Sequence, residues 1–149
     1  MTYNITKYAL LEPGCLPKVG SEEAAGLDLR HTSGELYVTK GTEYLFNTGF
    51  ACEIPKGWVG LVLPRSGMGV KYKLRLLNTC GVIDSDYRNW IKVGCTFEED
   101  FWLEPYERIC QMVVVPHYKV KKLLGQEVSL EELGETLRGT DGFGSSGRT

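Results

Sequence analysis

A chain of 149 residues, 42% apolar and 24% charged, has the length of about one domain and the composition of an ordinary globular protein. Seventeen basic and nineteen acidic residues give a net charge of −2 without a long basic run, which argues against a duplex nucleic-acid partner. No apolar run approaches the roughly 18 residues of a membrane helix, so no membrane partner is expected; the opening MTYNITKYAL also lacks the basic segment and apolar core of a secretory signal.

Eighteen glycines and short apolar runs point to many strands joined by tight turns. The first expected strand is Tyr3 to Leu11. Thr42 to Thr48 and Phe50 to Ile54 follow, separated by Gly49. Pro55-Lys56-Gly57 fits a type I turn with Pro second and Gly fourth, leading into an apolar strand from Trp58 to Leu63. Pro64-Arg65-Ser66-Gly67-Met68 can open one short helical turn. Leu74 to Leu77, Val82-Ile83 and Ile91 to Phe97 continue the strand pattern. Ile109 to Val115, apolar apart from Gln111, reads as a strand buried on both faces and stopped by Pro116. Ser129 and Glu132 form a capping-box pattern before Leu130 and Leu133, kept short by Gly125 and Gly134. Residues 138–149 can bury little and are expected to be a flexible arm on an all-β domain spanning 1–137.

Five widely spaced cysteines (Cys15, Cys52, Cys80, Cys95, Cys110) without a CxxC pair read as reduced, buried thiols. The expected compartment is the cytoplasm, or the host cytoplasm for a viral protein. With only His31 and His117, a structural zinc site of ordinary ligand spacing is not expected. Three segments can carry chemistry. Gly142 to Gly147 matches GxGxxG, yet no helix can follow with two residues left. It is either a plain Gly/Ser tail or an anion cradle, the second because glycine-exposed amides, Arg138 and the ring of Phe143 suit phosphate and a base. Pro64-Arg65-Ser66-Gly67 ends an apolar strand where free helix amides and a hydroxyl suit phosphate, or where a turn is merely capped. In Gly81-Val82-Ile83-Asp84-Ser85-Asp86-Tyr87-Arg88, two carboxylates two residues apart share one face if the segment is extended; Asp-Ser-Asp also suits a polar hairpin end.

Together these segments say more. Ala24-Ala25-Gly26-Leu27-Asp28-Leu29, Pro64 to Gly67, Asp84 to Arg88, Glu107-Arg108-Ile109-Cys110-Gln111 and Arg138 to Gly147 occur in that order. In this arrangement the chain resembles the trimeric dUTP pyrophosphatases (dUTPases), with all five family motifs spread over residues 24–147, and it is most similar in wording to phage or bacterial members.

The resemblance implies a distorted jelly-roll β-barrel with at most one short helix. It implies a homotrimer whose three active sites each draw on all three chains, the C-terminal arm closing over the nucleotide. The implied reaction is hydrolysis of dUTP to dUMP and pyrophosphate, limiting uracil incorporation into DNA and supplying dUMP for dTMP synthesis. By resemblance, Asp84 is the general base for water attacking the α-phosphorus, Arg65 braces the catalytic carboxylate, and Gln111 lies near the phosphates and that water. Tyr87 packs under the deoxyribose, where a 2′-hydroxyl would clash. The hairpin from Asn78 through Gly81, Val82 and Ile83 reads uracil with backbone groups. Ser66 and Gly67 contact phosphate, Arg138 the γ-phosphate, and Phe143 stacks on uracil while Gly144, Ser145 and Ser146 wrap the β- and γ-phosphates. Magnesium is implied as the cofactor, held by the phosphates and water, with Asp28 structural or reaching it through water and no direct protein ligand.

The chain departs from the family pattern at Asn89-Trp90, where Gly and a polar residue commonly follow Tyr-Arg, at Tyr106 for Gly, Gly69 for Ala, and Asp141 for Gly. The related dCTP deaminases need a glutamate beyond the hairpin in a Gly-Trp-Glu pattern, and Tyr87-Arg88-Asn89 stands there instead. A non-catalytic binding trimer fits poorly with the presence of Asp84, Tyr87, Arg138 and Phe143.

Overall fold

Short stretches of alternating side chains, punctuated by Gly and Pro, fold as antiparallel strands. The computed structural model describes residues 5, 7–120 and 123–134. Two units divide the chain, residues 1–117 and 118–149. The first carries β1 (Tyr8–Leu10), β2 (Lys18–Val19), β3 (Gly26–Arg30), β4 (Leu36–Val38), β5 (Tyr44–Asn47) and β6 (Phe50–Cys52). These are followed by β7 (Trp58–Pro64), α1 (Ser66–Lys71), β8 (Arg75–Leu76), β9 (Gly81–Ile83), β10 (Lys92–Thr96), β11 (Phe101–Leu103) and β12 (Arg108–Pro116).

All the pairings are antiparallel. The largest sheet has the order β2-β3-β12-β7-β9; β5-β10-β8, β1-β6 and β11-β4 form three smaller ones. This is the all-β, jelly-roll-like arrangement expected; among the described residues there is one short α-helix, and the strands pair as four sheets and not as a closed barrel. Between them Leu29, Val38, Cys95, Phe97, Leu103, Ile109 and Cys110 lose all contact with solvent. Phe97 meets Tyr44 and Phe101 edge-on, which fills the space between sheets with ring volume. The cysteines are free and only Cys80 is not buried. Burial pushes the Cys52 thiol up to about 11 and Cys95 to about 12, and raises Cys110 too, so these behave as small apolar side chains. No helix among the described residues is long and apolar enough to cross a membrane.

Several local expectations change. The turn after Ile54 closes one residue later, through Trp58 N–H donating to Pro55 O at 3.0 Å. Gly57, at φ +85°, takes its third position, as in a type II turn and not the expected type I. Strand β12 continues through Pro116, and Val113 to Val115 are only half-buried, because β12 is flanked by strands on both edges but not covered evenly on both faces. Tyr106 sits at φ +56°, a left-handed conformation that favours glycine, which is why the resembling family commonly has Gly there. Its ring lies on Gly14, where an added Cβ would meet it at 2.7 Å. In the second unit the expected capping box forms: Ser129 N–H donates to Glu132 Oε2 at 2.9 Å, and Glu132 N–H to Ser129 Oγ at 3.3 Å, ahead of a 3-10 turn at Glu131–Leu133.

His31 is fully buried after β3. Its Nε2–H donates to Glu104 O at 2.7 Å and its Nδ1 accepts from Ser33 N–H at 3.3 Å, so both nitrogens are used by the neutral ring. Desolvation by burial lowers its pKa below the usual 6.5. An unfolded histidine binds its proton near pH 6.5 and the folded one only at lower pH, so the unfolded state gains more protons on acidification. Stability therefore falls as pH drops through about 6.5 toward the folded-state pKa. Thermal melting at fixed protein concentration should show this fall, and His31→Gln should flatten it. An unchanged pH slope in that variant would remove His31 as its source.

Candidate functional site

Three central strands bring a polar cluster together at one end of the largest sheet. The β3–β12–β7 register places Gln111 between Asp28 and Leu63. One Asp28 carboxylate oxygen, Oδ2, takes Arg65 Nε at 2.9 Å and Arg108 Nη1 at 2.9 Å. Arg65 Nη1 also donates to Arg108 O at 3.0 Å. Two guanidiniums on one carboxylate leave the cluster with a net positive charge, an arrangement that favours an anion. Gln111 Nε2 donates to Pro64 O at 3.0 Å, while its Oε1 lies over Gly26, 2.7 Å from where a Cβ would stand. A side chain at position 26 would push Gln111 away, so the glycine of the first motif has a packing reason.

Arg108 is a site member that the sequence reading left without a role. On an unbroken strand, residues 108 and 111 point to opposite faces. Here the register shifts between Arg108 and Cys110, so Arg108 faces Arg30 while Cys110 faces Leu29. The extra residue buries Ile109 and Cys110 in succession and turns Arg108 toward Asp28. A bulge is set by three-strand packing, and the one-dimensional pattern carries no signal for it.

Helix α1 begins at Ser66, directly beyond β7, with extended backbone at Arg65. Gly69 N–H donates to Arg65 O at 2.9 Å, closing the first turn and leaving the amides of the first helical residues without intrahelical acceptors. The N-cap residue Arg65 makes no side-chain cap, and Gly67 and Gly69 have open space where a side chain would be. The cluster and this turn are therefore neighbours by chain continuity.

The hairpin and the two aspartates lie elsewhere. Thr79 N–H donates to Leu76 O at 3.1 Å, Thr79 has φ +63°, and Asn78 and Val82 are exposed. Gly81 packs where a Cβ would stand 3.0 Å from the Val62 Cβ, so its lack of a side chain lets β9 lie against β7. Strand β9 ends at Ile83, and Tyr87 N–H donates to Asp84 O at 3.1 Å. Asp84 opens this turn and Asp86 lies within it, so of the two readings of the segment the polar turn holds, and not the extended one with both carboxylates on one face. Asp84 is exposed and Tyr87 is 38% exposed.

Ile83 pairs with Gly60, five residues along extended backbone from Arg65, or roughly 16 Å at about 3.3 Å per residue. Asp84 is one residue further still. Within one chain, Arg65 braces Asp28 and stands too far from Asp84 to brace it. The structure brings together Asp28, Arg65, Gln111 and the start of α1, and separately Asn78 to Ile83 with Asp84 and Tyr87. Arg138, Phe143, Gly144, Ser145, Ser146 and Asp141 lie outside the described residues. Among the described residues no three His, Cys, Asp or Glu side chains are placed to hold a metal ion. With Oδ2 of Asp28 compensated by two arginines, the residues here fit a cation carried in on a polyphosphate better than one held by protein ligands alone.

Comparison with known proteins adds family information. The dUTPase family model matches residues 12–147. The chain is 46% identical over 149 residues to a deoxyuridine 5′-triphosphate nucleotidohydrolase of Escherichia phage T5, covering 95% of this chain and 97% of the relative. It is 41% identical over 151 residues to the enzyme of that name from Rhizobium johnstonii, covering 98% and 94%. Among solved structures, the dUTPase of Staphylococcus bacteriophage 80alpha with dUPNHPP superposes with a TM-score of 0.77 at 25% identity, covering 95% of this chain and 98% of that one.

Proposed function

The chain belongs to the dUTPase family and is a dUTP diphosphatase, and from that premise we propose that Asp84 is the general base that directs water at the α-phosphorus. A carboxylate on an exposed turn can accept a hydrogen bond from water and take its proton as the phosphorus–oxygen bond forms. Pyrophosphate then leaves, and dUMP carries the incoming oxygen. This product supplies dTMP synthesis, and removal of dUTP limits uracil in DNA.

The positive Asp28–Arg65–Arg108 cluster and the open start of α1 at Ser66 and Gly67 hold the phosphate chain, with Gln111 beside it. Arg138, Phe143 and the glycine-serine run through Gly144, Ser145 and Ser146 close over the nucleotide from the arm. Asn78, Gly81, Val82 and Ile83 read uracil, and Tyr87 walls off the 2′ position. Magnesium on the triphosphate would neutralise the charge that otherwise repels a carboxylate and water.

The observation that carries this reading is the separation along β7. Asp84 and the phosphate-attracting cluster stand at opposite ends of one strand, yet the reaction needs both at one phosphorus. Chains assembled as a homotrimer, each supplying its Asp84 turn to a neighbour's Arg65 and Gln111, resolve this, and Arg65 braces the catalytic carboxylate across that interface. Hydrolysis in heavy-oxygen water tests the chemistry: the isotope should appear in dUMP, and label in pyrophosphate would overturn attack at the α-phosphorus. The same preparation should favour dUTP over UTP by about 10²-fold in kcat/KM, a typical limit for rejecting one added hydroxyl by shape.

A further inference from the structure

The turn that follows Asp84 is tied by hydrogen bonds of its own, and they converge on Tyr87. Arg88 Nη1 donates to Ser85 O at 2.7 Å and to Tyr87 O at 2.9 Å, fixing the backbone at the root of the ring. At the tip, the Tyr87 phenol donates to Trp90 O at 3.1 Å. That acceptor is anchored from below. Ile91 is 1% exposed; its N–H donates to Phe50 O at 2.9 Å, and its carbonyl accepts from Thr48 N–H at 3.0 Å and Thr48 Oγ1 at 2.8 Å. The peptide joining Trp90 to Ile91 is trans, so with its N–H committed to the core its carbonyl points the other way, toward the phenol.

Between root and tip runs the peptide joining Asn89 to Trp90. Asn89 Oδ1 accepts the Trp90 N–H at 2.7 Å and restrains its rotation. Asn89 stands where glycine is common in the resembling family, and it is not among the residues with positive φ, so the substitution brings a hydrogen bond without left-handed strain. We infer that Asn89 is a positioning residue for Tyr87, acting through the Trp90 peptide to hold the ring as a rigid wall against ribonucleotides. This rests on the reading of Tyr87 as the group that excludes a 2′-hydroxyl. A residue more than a third exposed is not held by packing alone, and a wall that tilts yields to the extra oxygen.

The test is the ratio of kcat/KM for dUTP to that for UTP, measured on the full-length protein and three variants. Asn89→Ala should lower the ratio about three- to tenfold, the scale of one hydrogen bond. Asn89→Asp keeps an oxygen acceptor for the same N–H and should restore the ratio, because its added charge meets both triphosphates alike. Tyr87→Ala should collapse the ratio further. If Tyr87→Ala lowers the ratio and Asn89→Ala does not, the role given to Asn89 is overturned while that of Tyr87 stands. If Tyr87→Ala leaves it unchanged, the reading of Tyr87 fails and Asn89 falls with it. Equal losses in Asn89→Ala and Asn89→Asp would overturn the hydrogen bond as the cause.

Discussion

Asp84→Asn is expected to lower kcat on dUTP by about 10² to 10⁴-fold, the usual cost of losing a general base, while KM moves only a few-fold. The amide keeps the shape of the carboxylate and can still touch water, but it cannot take a proton. An interaction realised as the phosphorus–oxygen bond forms contributes to kcat, and its loss leaves ground-state binding largely intact. Asp84 is exposed, so the variant should melt with the parent protein and the effect cannot be assigned to unfolding. The turn closed by Tyr87 N–H on Asp84 O supplies an internal control. Asp86 lies inside that turn and not in strand register with Asp84, so Asp86→Asn should retain activity within a few-fold. Steady-state pyrophosphate release on both variants decides the matter. Near-normal turnover in Asp84→Asn would remove it as the base, and an equal collapse in Asp86→Asn would mean that the turn, not one carboxylate, is the reactive unit.

Long apolar runs made β7 and β12 visible in the sequence, because seven to nine residues suffice to show a strand. Of the strands of two or three residues, β1, β6, β8 and β9 fall in or overlap the expected strands, whereas β2, β4 and β11 carry too little pattern to be read. In β4 and β11, Tyr37 and Trp102 are exposed between less exposed neighbours, and three residues of alternation are not distinguishable from loop. Strand β3 was visible as the motif around Asp28 but not as the strand that carries it. The candidate site residues stand in five ordered motifs, whereas the grouping of those that the structure describes was not legible. That Asp28 meets Arg65 and Arg108 depends on the shift between Arg108 and Cys110, and that Asp84 stands apart depends on pairing Ile83 with Gly60. Both are properties of register, which one strand's own sequence does not set.

Removing the carboxylate of Asp28 should be the most destabilising single change in the site. Arg65 and Arg108 both end on Oδ2, and the Asp28 side chain is 15% exposed against 23% and 31% for the two arginines. Asp28→Ala leaves two guanidiniums facing each other across a partly dry space. Breaking a fully buried pair costs about 3–5 kcal/mol, and partial exposure here lets water recover some of that, so a loss of about 2–3 kcal/mol is expected. For a chain of this length that corresponds to a fall of roughly 5–10 °C in Tm at fixed protein concentration. Arg108→Ala alone should cost less, because Asp28 keeps Arg65. The double variant Asp28→Ala, Arg108→Ala should be more stable than the sum of the single losses predicts, since it removes the repulsion that the first change creates. Catalysis should not recover with stability. The Arg65 Nη1 bond to the Arg108 carbonyl survives in the double variant, but the Nε anchor does not, and a guanidinium held at one point cannot keep its orientation toward phosphate. A double variant that regains both Tm and kcat would show that the cluster braces the sheet and does nothing for the reaction. Recovery of Tm alone would place Asp28 as the residue that aims Arg65.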